Sequence, residues 1–162
     1  MTQPTYLKSD NPRVPEARCP FRHCVDVQTR FSDIDMLGHI NNNTYLTFMD
    51  LGKIQYFSAI NGGKMNVSDV RAVVVHVSCD FYEPAFFQEP LQVWSTITHV
   101  GTRSFTIEQR VINALTLSTK CIGTTVLAGF DPATQTGAPL DEQWIASAAA
   151  YEQRDLVSVD RQ

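Results

Sequence analysis

The feature that most constrains this chain is a long segment, Asn43 to about Ile60, that is apolar nearly all the way round. Tyr45, Phe48, Met49, Gly52 and Tyr56 recur at spacings of three and four, as one face of a helix requires, while Leu46, Leu51, Ile54 and Phe57 fill most of the remaining circumference. A helix of that kind is a buried one. Its ends are marked as well: Asn41-Asn42-Asn43 offers a side-chain oxygen for the N-cap, and Asn61-Gly62-Gly63 offers the left-handed residues that stop a helix.

What the chain has available to cover such a helix is strand. Val25, Val27 and Phe31 alternate with Cys24, Asp26, Gln28 and Arg30, the period-2 pattern of a half-buried strand beginning near residue 21. Four more segments of strand composition follow the helix, at about 71 to 83, 91 to 100, 103 to 113 and 116 to 130. In the third of these, Phe105, Ile107 and Val111 alternate with Thr106, Glu108 and Arg110, which predicts one wet face and antiparallel neighbours. The short links at Glu89-Pro90, Gly101-Thr102 and Asn113-Ala114 favour the same pairing. After Phe130 comes a turn cluster, Asp131 to Pro139, and then Leu140 to about Arg154, which reads as a surface helix rich in Ala and Glu. The expected class is α+β: a curled antiparallel five-stranded sheet wrapped around one long buried helix, with a C-terminal surface helix. Residues 1 to 20 hold four of the eight prolines and read as an irregular arm, either solvated or packed on a partner subunit through Tyr6, Leu7 and Val14. The expected division is an arm at 1–20, one domain at 21–155 and a tail at 156–162.

Composition narrows the function. At 162 residues the chain can bury roughly 70% of its unfolded surface, so it folds without disulfide or metal staples. Thirteen Lys and Arg against seventeen Asp and Glu give a net charge of −4, with no basic run longer than two residues, which argues against nucleic acid as a partner. No apolar stretch approaches the ~20 residues of a membrane span. The four cysteines, Cys19, Cys24, Cys79 and Cys121, are scattered and form no Cys-x-x-Cys pair, which points to free thiols in a reducing compartment. The opening residues show no apolar core behind a positive flank, and the expected location is the cytoplasm.

Chemistry concentrates in Arg30-Phe-Ser-Asp-Ile-Asp-Met-Leu-Gly-His-Ile-Asn-Asn-Asn-Thr-Tyr45, where a strand ends, a glycine turn follows and the helix begins. Unpaired backbone N–H groups at a helix N-terminus can bond an oxygen that gains negative charge, and the helix dipole adds to the effect. Asp35, a few residues upstream, can act on the same centre as base or nucleophile. The same Asp and Asn residues also suit capping and turn formation, with Gly38 present for its backbone alone. No glycine-rich phosphate loop and no Gly-x-Ser-x-Gly elbow is present.

The string FSDIDMLGHINNNTYLTFMD resembles the signature of the 4-hydroxybenzoyl-CoA thioesterase-like family of hotdog-fold acyl-CoA thioesterases, which reads aromatic-x-Asp-x-Asp-x-x-Gly-His-x-Asn-Asn before a Tyr-Leu helix. Cys79-Asp-Phe-Tyr-Glu-Pro-Ala and Ala128-Gly-Phe-Asp131 with Pro139-Leu140 extend the resemblance over about 21 to 154. It implies the hotdog fold and hydrolysis of an acyl-CoA to acid and free CoA. Asp35, the second Asp of the pair, becomes the catalytic carboxylate, either attacking the thioester or directing water onto it. The backbone amide of Asn42 becomes the oxyanion donor. His39 is then a structural imidazole, a general acid or half of a hydratase pair, and Asn41 holds the loop or touches substrate. Asp50, seven positions after Asn43 on the helix, is a carboxylate of the kind some relatives supply from the facing subunit.

Arg103, Lys120 and Arg71, with Ser104 as a lesser donor, are the candidates for the phosphates of coenzyme A, which enters as part of the substrate. No cofactor and no metal is expected, His76 and His99 lying in strands without a second ligand at useful spacing, and His23 preceding the first strand at an exposed place. The resemblance also implies a homodimer or homotetramer with interfacial sites. Two rival functions stand beside hydrolysis: a module that binds an acyl-CoA or a partner protein without turnover, and an enoyl-CoA hydratase. An acyl carrier protein in place of CoA is a further donor. Phe48, Met49, Phe86 and Phe87 serve as acyl-group lining or as core.

Overall fold

In the computed structural model, residues 4–64 and 71–156 are described. The elements run β1 (His23–Val27), α1 (Asn42–Ile60), β2 (Ala72–Phe81), β3 (Leu91–Val100), β4 (Ser104–Asn113), β5 (Thr119–Asp131), β6 (Thr136–Gly137) and α2 (Glu142–Glu152). The strands make one antiparallel sheet in the order β1-β3-β4-β5-β2, with the two-residue β6 added on β5. The chain thus crosses from one edge, β1, through α1 to the opposite edge, β2, before filling the middle. The sheet curls around α1 in the hotdog arrangement, and its five main strands are the ones that alternation and strand composition predict.

Two cores line the helix. Toward its N-terminus Tyr45, Phe48 and Met49 pack with Val25, Val27, Leu91, Val93 and Val111; toward its C-terminus Tyr56, Phe57 and Ile60 pack with Ile97, Phe105, Ile107, Leu127 and Trp144. Between them Gly52 lets the helix touch the sheet, since a Cβ there would lie 2.7 Å from Val93 Cγ1. The two ends of α1 therefore define two ends of the molecule. The first strand leads toward the N-terminal end of α1, with Val27 paired to Leu91, and β2 runs the same way, from Ala72 at the far end to Phe81 at the near one.

Four expectations need correction. The first strand stops at Val27; Phe31 begins a single 3-10 turn and is 84% exposed, because the chain leaves the sheet edge to build the turn before α1. The helix is not covered all round: Leu46, Leu51 and Ile54 are exposed on the flank that faces away from β1, β3 and β4. The second helix is more than a surface element, since Trp144, Ala148 and Glu152 are buried beneath it. His23 is buried at the start of β1, because Tyr151 of α2 covers it and its Nδ1 lies 3.1 Å from the Tyr151 hydroxyl. Burial lowers its pKa to about 4.

The N-terminal arm packs on its own chain. Thr5 and Phe21 exchange two backbone hydrogen bonds, and Leu7 and Phe21 lie with Ile112 and Trp94 on the outer face of the sheet. The buried Arg110 guanidinium sits 5.8 Å over the Phe21 ring while pairing with Glu108. The residues of the expected tail from 157 onward lie outside the described residues.

Candidate active site

The turn between β1 and α1 is built almost wholly from main chain. Ile34 and Ile40 pair as an antiparallel bridge, which encloses residues 35 to 39. Inside that loop Asp35 N–H donates to the His39 carbonyl at 2.8 Å, and Gly38 N–H donates to the Asp35 carbonyl at 3.1 Å. Gly38 has φ of +77°, the left-handed region that glycine enters at no steric cost. The Asp35 carboxylate closes the turn from within: Oδ1 accepts Leu37 N–H at 2.8 Å and His39 N–H at 3.1 Å. Its Oδ2 makes no hydrogen bond among the described residues. One oxygen is anchored and the other is left without a partner among the described residues.

The helix begins immediately beyond. Asn41 N–H donates to the Asp33 carbonyl at 2.8 Å, which ties the helix start to the turn. Asn41 is the N-cap: its Oδ1 accepts Asn43 N–H at 2.9 Å and its carbonyl accepts Thr44 N–H at 2.9 Å. Those two bonds satisfy the second and third amides of the helix and leave the first. The Asn42 N–H makes no hydrogen bond among the described residues and lies at the exposed, positive end of the dipole. An available amide and a half-anchored carboxylate thus sit at one corner, the constellation that acyl chemistry at a carbonyl uses.

His39 lies in that corner through its backbone. Its ring meets the Phe86 ring edge-on at 5.3 Å, and residues 39 and 86 pair as a second bridge, so the turn is flanked by the loop between β2 and β3. Apolar side chains rim the corner: Met36 is wholly exposed, Leu37 is exposed, and Phe31 meets Phe87 edge-on at 6.3 Å.

The remaining candidates stand elsewhere in the chain. Asp50 is exposed on the open flank of α1, its carboxylate 2.7 Å from Lys53 Nζ. Arg71, Arg103 and Ser104 are at the far end of the sheet, about 28 Å from the turn by the length of a 19-residue helix. There the Arg103 guanidinium donates to the Gly137 carbonyl at 2.8 Å. Lys120 is at the near end but 7% exposed, its ammonium enclosed by Glu83, Glu89 and the Pro84 carbonyl. Residues that sequence reasoning passed over, Glu89 and Asn113, meet there too, their side chains 2.7 Å apart. They and Lys120 come from distant parts of the chain, and no local spacing joins them. Among the described residues no group of three or more His, Cys, Asp or Glu side chains is placed to hold a metal, and no helix is long and apolar enough to cross a membrane.

Comparison with known proteins identifies the family and the fold. The family model described as the thioesterase superfamily matches residues 37–117, half of the chain, beginning two residues after Asp35. A curated relative, the uncharacterized protein YsmA of Bacillus subtilis, is 32% identical over 81 residues; the match covers 50% of this chain and 54% of the relative, so the chain spans about half of that relative's length. Among solved structures, a Thermus thermophilus thioesterase crystallised with coenzyme A and Zn superposes with a TM-score of 0.74 at 28% identity, over 83% of this chain and 96% of the other. A 1,4-dihydroxy-2-naphthoyl-CoA thioesterase from Synechocystis shares the fold, with a TM-score of 0.68 at 22% identity over 78% and 95%.

Proposed function

The chain belongs to the thioesterase superfamily, and from that premise we propose that it hydrolyses an acyl-CoA to a free carboxylic acid and CoA. The observation that carries the reading is the pairing, at one corner, of a carboxylate anchored by a single oxygen with a helix amide that has no partner among the described residues. The thioester carbonyl oxygen takes the Asn42 N–H, which stabilises the negative charge that builds on it during attack. Asp35 Oδ2 meets the carbonyl carbon directly, giving an anhydride that water then opens, or removes a proton from the water that attacks. The C–S bond breaks and the thiolate leaves with its electron pair; its pKa is low enough that no dedicated acid is needed, and His39 serves through its main chain.

The active unit we propose is a dimer. Strand β2 forms an open edge on which Val73, Val74, Val75 and Val77 are exposed, and Leu46, Leu51 and Ile54 of α1 are bare as well. A long apolar edge of this kind invites pairing with a second copy. Because β2 runs from the far end to the near end, a second copy added antiparallel brings its own Arg71 and Arg103 toward this chain's Asp35. Cations otherwise a helix length away then reach the phosphates of CoA, and Asp50 of the second copy faces the same cleft. Sedimentation that returned the mass of one chain at micromolar concentration would remove this part of the reading.

Thiol release from short, long, branched and aromatic acyl-CoAs tests the activity, with wild type and Asp35→Asn compared at equal folded concentration. Hydrolysis that drops by roughly 100-fold or more on substitution supports the reading and names the acyl class. A protein that holds acyl-CoA through long incubation without releasing thiol is a binding module, and turnover that survives Asp35→Asn excludes the mechanism.

A further inference from the structure

The loop between β2 and β3 is fixed by a partly buried ion pair, Lys120 buried and Glu89 half-covered, that hydrolysis does not itself use. From β5, Lys120 places its ammonium 2.7 Å from Glu89 Oε1 and 3.7 Å from Glu83 Oε2, and donates to the Pro84 carbonyl at 3.2 Å. Glu89 Oε1 also accepts Asn113 Nδ2 at 2.7 Å, and its Oε2 accepts the main-chain N–H of Phe86 at 2.9 Å. Burial alone would raise the Glu89 carboxyl, but the hydrogen bonds from Asn113, Lys120 and Phe86 outweigh it and hold the group below its usual range. Lys120 is therefore committed within the chain.

That loop is the outer rail of the catalytic turn. Ile40 N–H donates to the Ala85 carbonyl at 2.8 Å, and His39 pairs with Phe86 by a bridge and by an edge-on ring contact. His39 in turn holds Asp35 at both its main chain and its carboxylate. From Lys120 through Glu89, Phe86 and His39 to Asp35, each link is an ion pair, a hydrogen bond or a strand pairing. At the tip of the turn the side chains of Met36 and Leu37 are exposed, so packing there comes from the loop side alone.

We infer that Lys120 and Glu89 are positioning residues for Asp35: the ion pair sets the loop, and the loop, through Phe86 and His39, fixes the direction of the reacting carboxylate. The kinetic consequence rests on the thioesterase reading; the structural one does not.

Two variants separate positioning from stability. Lys120→Met strands the Glu89 charge and destabilises the fold, whereas Lys120→Met with Glu89→Met removes both charges, a replacement that is often neutral for stability. Neither variant retains the full anchor of the loop. In both, hydrogen exchange at the amides of Asp35, Ile40 and Phe86 is expected to quicken, while the β3–β4 amides of the double variant match wild type. With hexanoyl-CoA and benzoyl-CoA, kcat is expected to fall by roughly 10- to 100-fold in both with KM little changed. If kcat and the three amides return to wild-type values with the melting temperature of the double variant, the pair is merely structural and the inference fails. Should the double variant not fold, Glu89→Gln decides: a smaller loss of kcat with faster exchange at Phe86 supports positioning, and wild-type behaviour in both overturns it. The exchange measurement needs no substrate, so a wild type inert on both thioesters would count against the proposed function and leave the positioning result standing.

Discussion

The two ends of α1 handle polar groups in opposite ways. At the C-terminal end Tyr56, Glu152 and Thr96 are buried, and they are bonded to one another: the Tyr56 hydroxyl donates to Glu152 Oε1, the Thr96 hydroxyl bonds Glu152 Oε2 at 3.4 Å, and Arg154 Nε lies 3.6 Å from the same oxygen. Burial raises the pKa of Tyr56 and of Glu152 together, as it must when charge is removed from water. At the N-terminal end the carboxylate of Asp35 is half-exposed, with one oxygen unengaged, and a helix amide stands open. One end turns its polar groups on each other and gains a unique packing. At the other, Lys120, Glu89 and Asn113 are likewise paired, but the Asp35 carboxylate and the Asn42 amide beside them face outward. Aromatic rings follow the same division: Phe57, Phe105 and Trp144 interlock at 4.6 to 6.1 Å at the far end, whereas Phe31 and Phe87 meet in the open beside the turn.

If the far end supplies stability and the near end chemistry, truncating Trp144 should break the first without the second. Trp144 is buried against Phe57 and Phe105, and Trp144→Ala is expected to cost about 3–5 kcal/mol in denaturant unfolding. Its indole Nε1 is buried without a partner among the described residues, so Trp144→Phe, which deletes that donor and keeps most of the ring, is expected to cost less. Turnover per folded molecule should stay near wild type for both. A loss of kcat that matches the loss of stability would show that the two ends are not separable.

Legibility in the sequence divides along a different line, between local and distant contacts. Asn41 as a cap, Gly62 and Gly63 as a stop, and the gathering of Asp35, His39, Asn41 and Asn42 at a strand-to-helix corner all depend on residues within a few positions of one another, and the chain writes them directly. Leu46, Leu51 and Ile54 were legible as apolar but not as exposed, because periodicity records that a side chain seeks cover and is silent on whether its own chain provides it. His23 gave no sign that Tyr151 would bury it, and Lys120 none that Glu83 and Glu89 would enclose it. Those contacts are made by strand register and helix docking, which bring together residues that no local pattern relates. The end of β1 is hidden for the same reason: Phe31 continues the alternation in sequence, yet the chain has already left its partner strand.

The sharpest probe of the near end removes a single hydrogen. If the Asn42 N–H is the oxyanion donor, substituting proline there deletes the donor and little else. Proline is well suited to the first helical position, where the missing N–H has no intrahelical partner to lose. The residue before it must be extended, and Asn41 already is, with φ of −60° and ψ of 138°. The cap from Asn41 Oδ1 goes to Asn43 and is untouched. Asn42→Pro is therefore expected to keep the melting temperature and to lower kcat by roughly 100- to 1,000-fold, about 3–4 kcal/mol of transition-state stabilisation. The control is Asn42→Ala, which discards the side chain and keeps the amide, and it should turn over like wild type. Equal losses in the two variants would assign the effect to the side chain, and undiminished turnover in Asn42→Pro would place the oxyanion donor elsewhere. Either result would mean that an unpaired amide at a helix start marks the reactive end of this fold less reliably than the half-anchored carboxylate beside it.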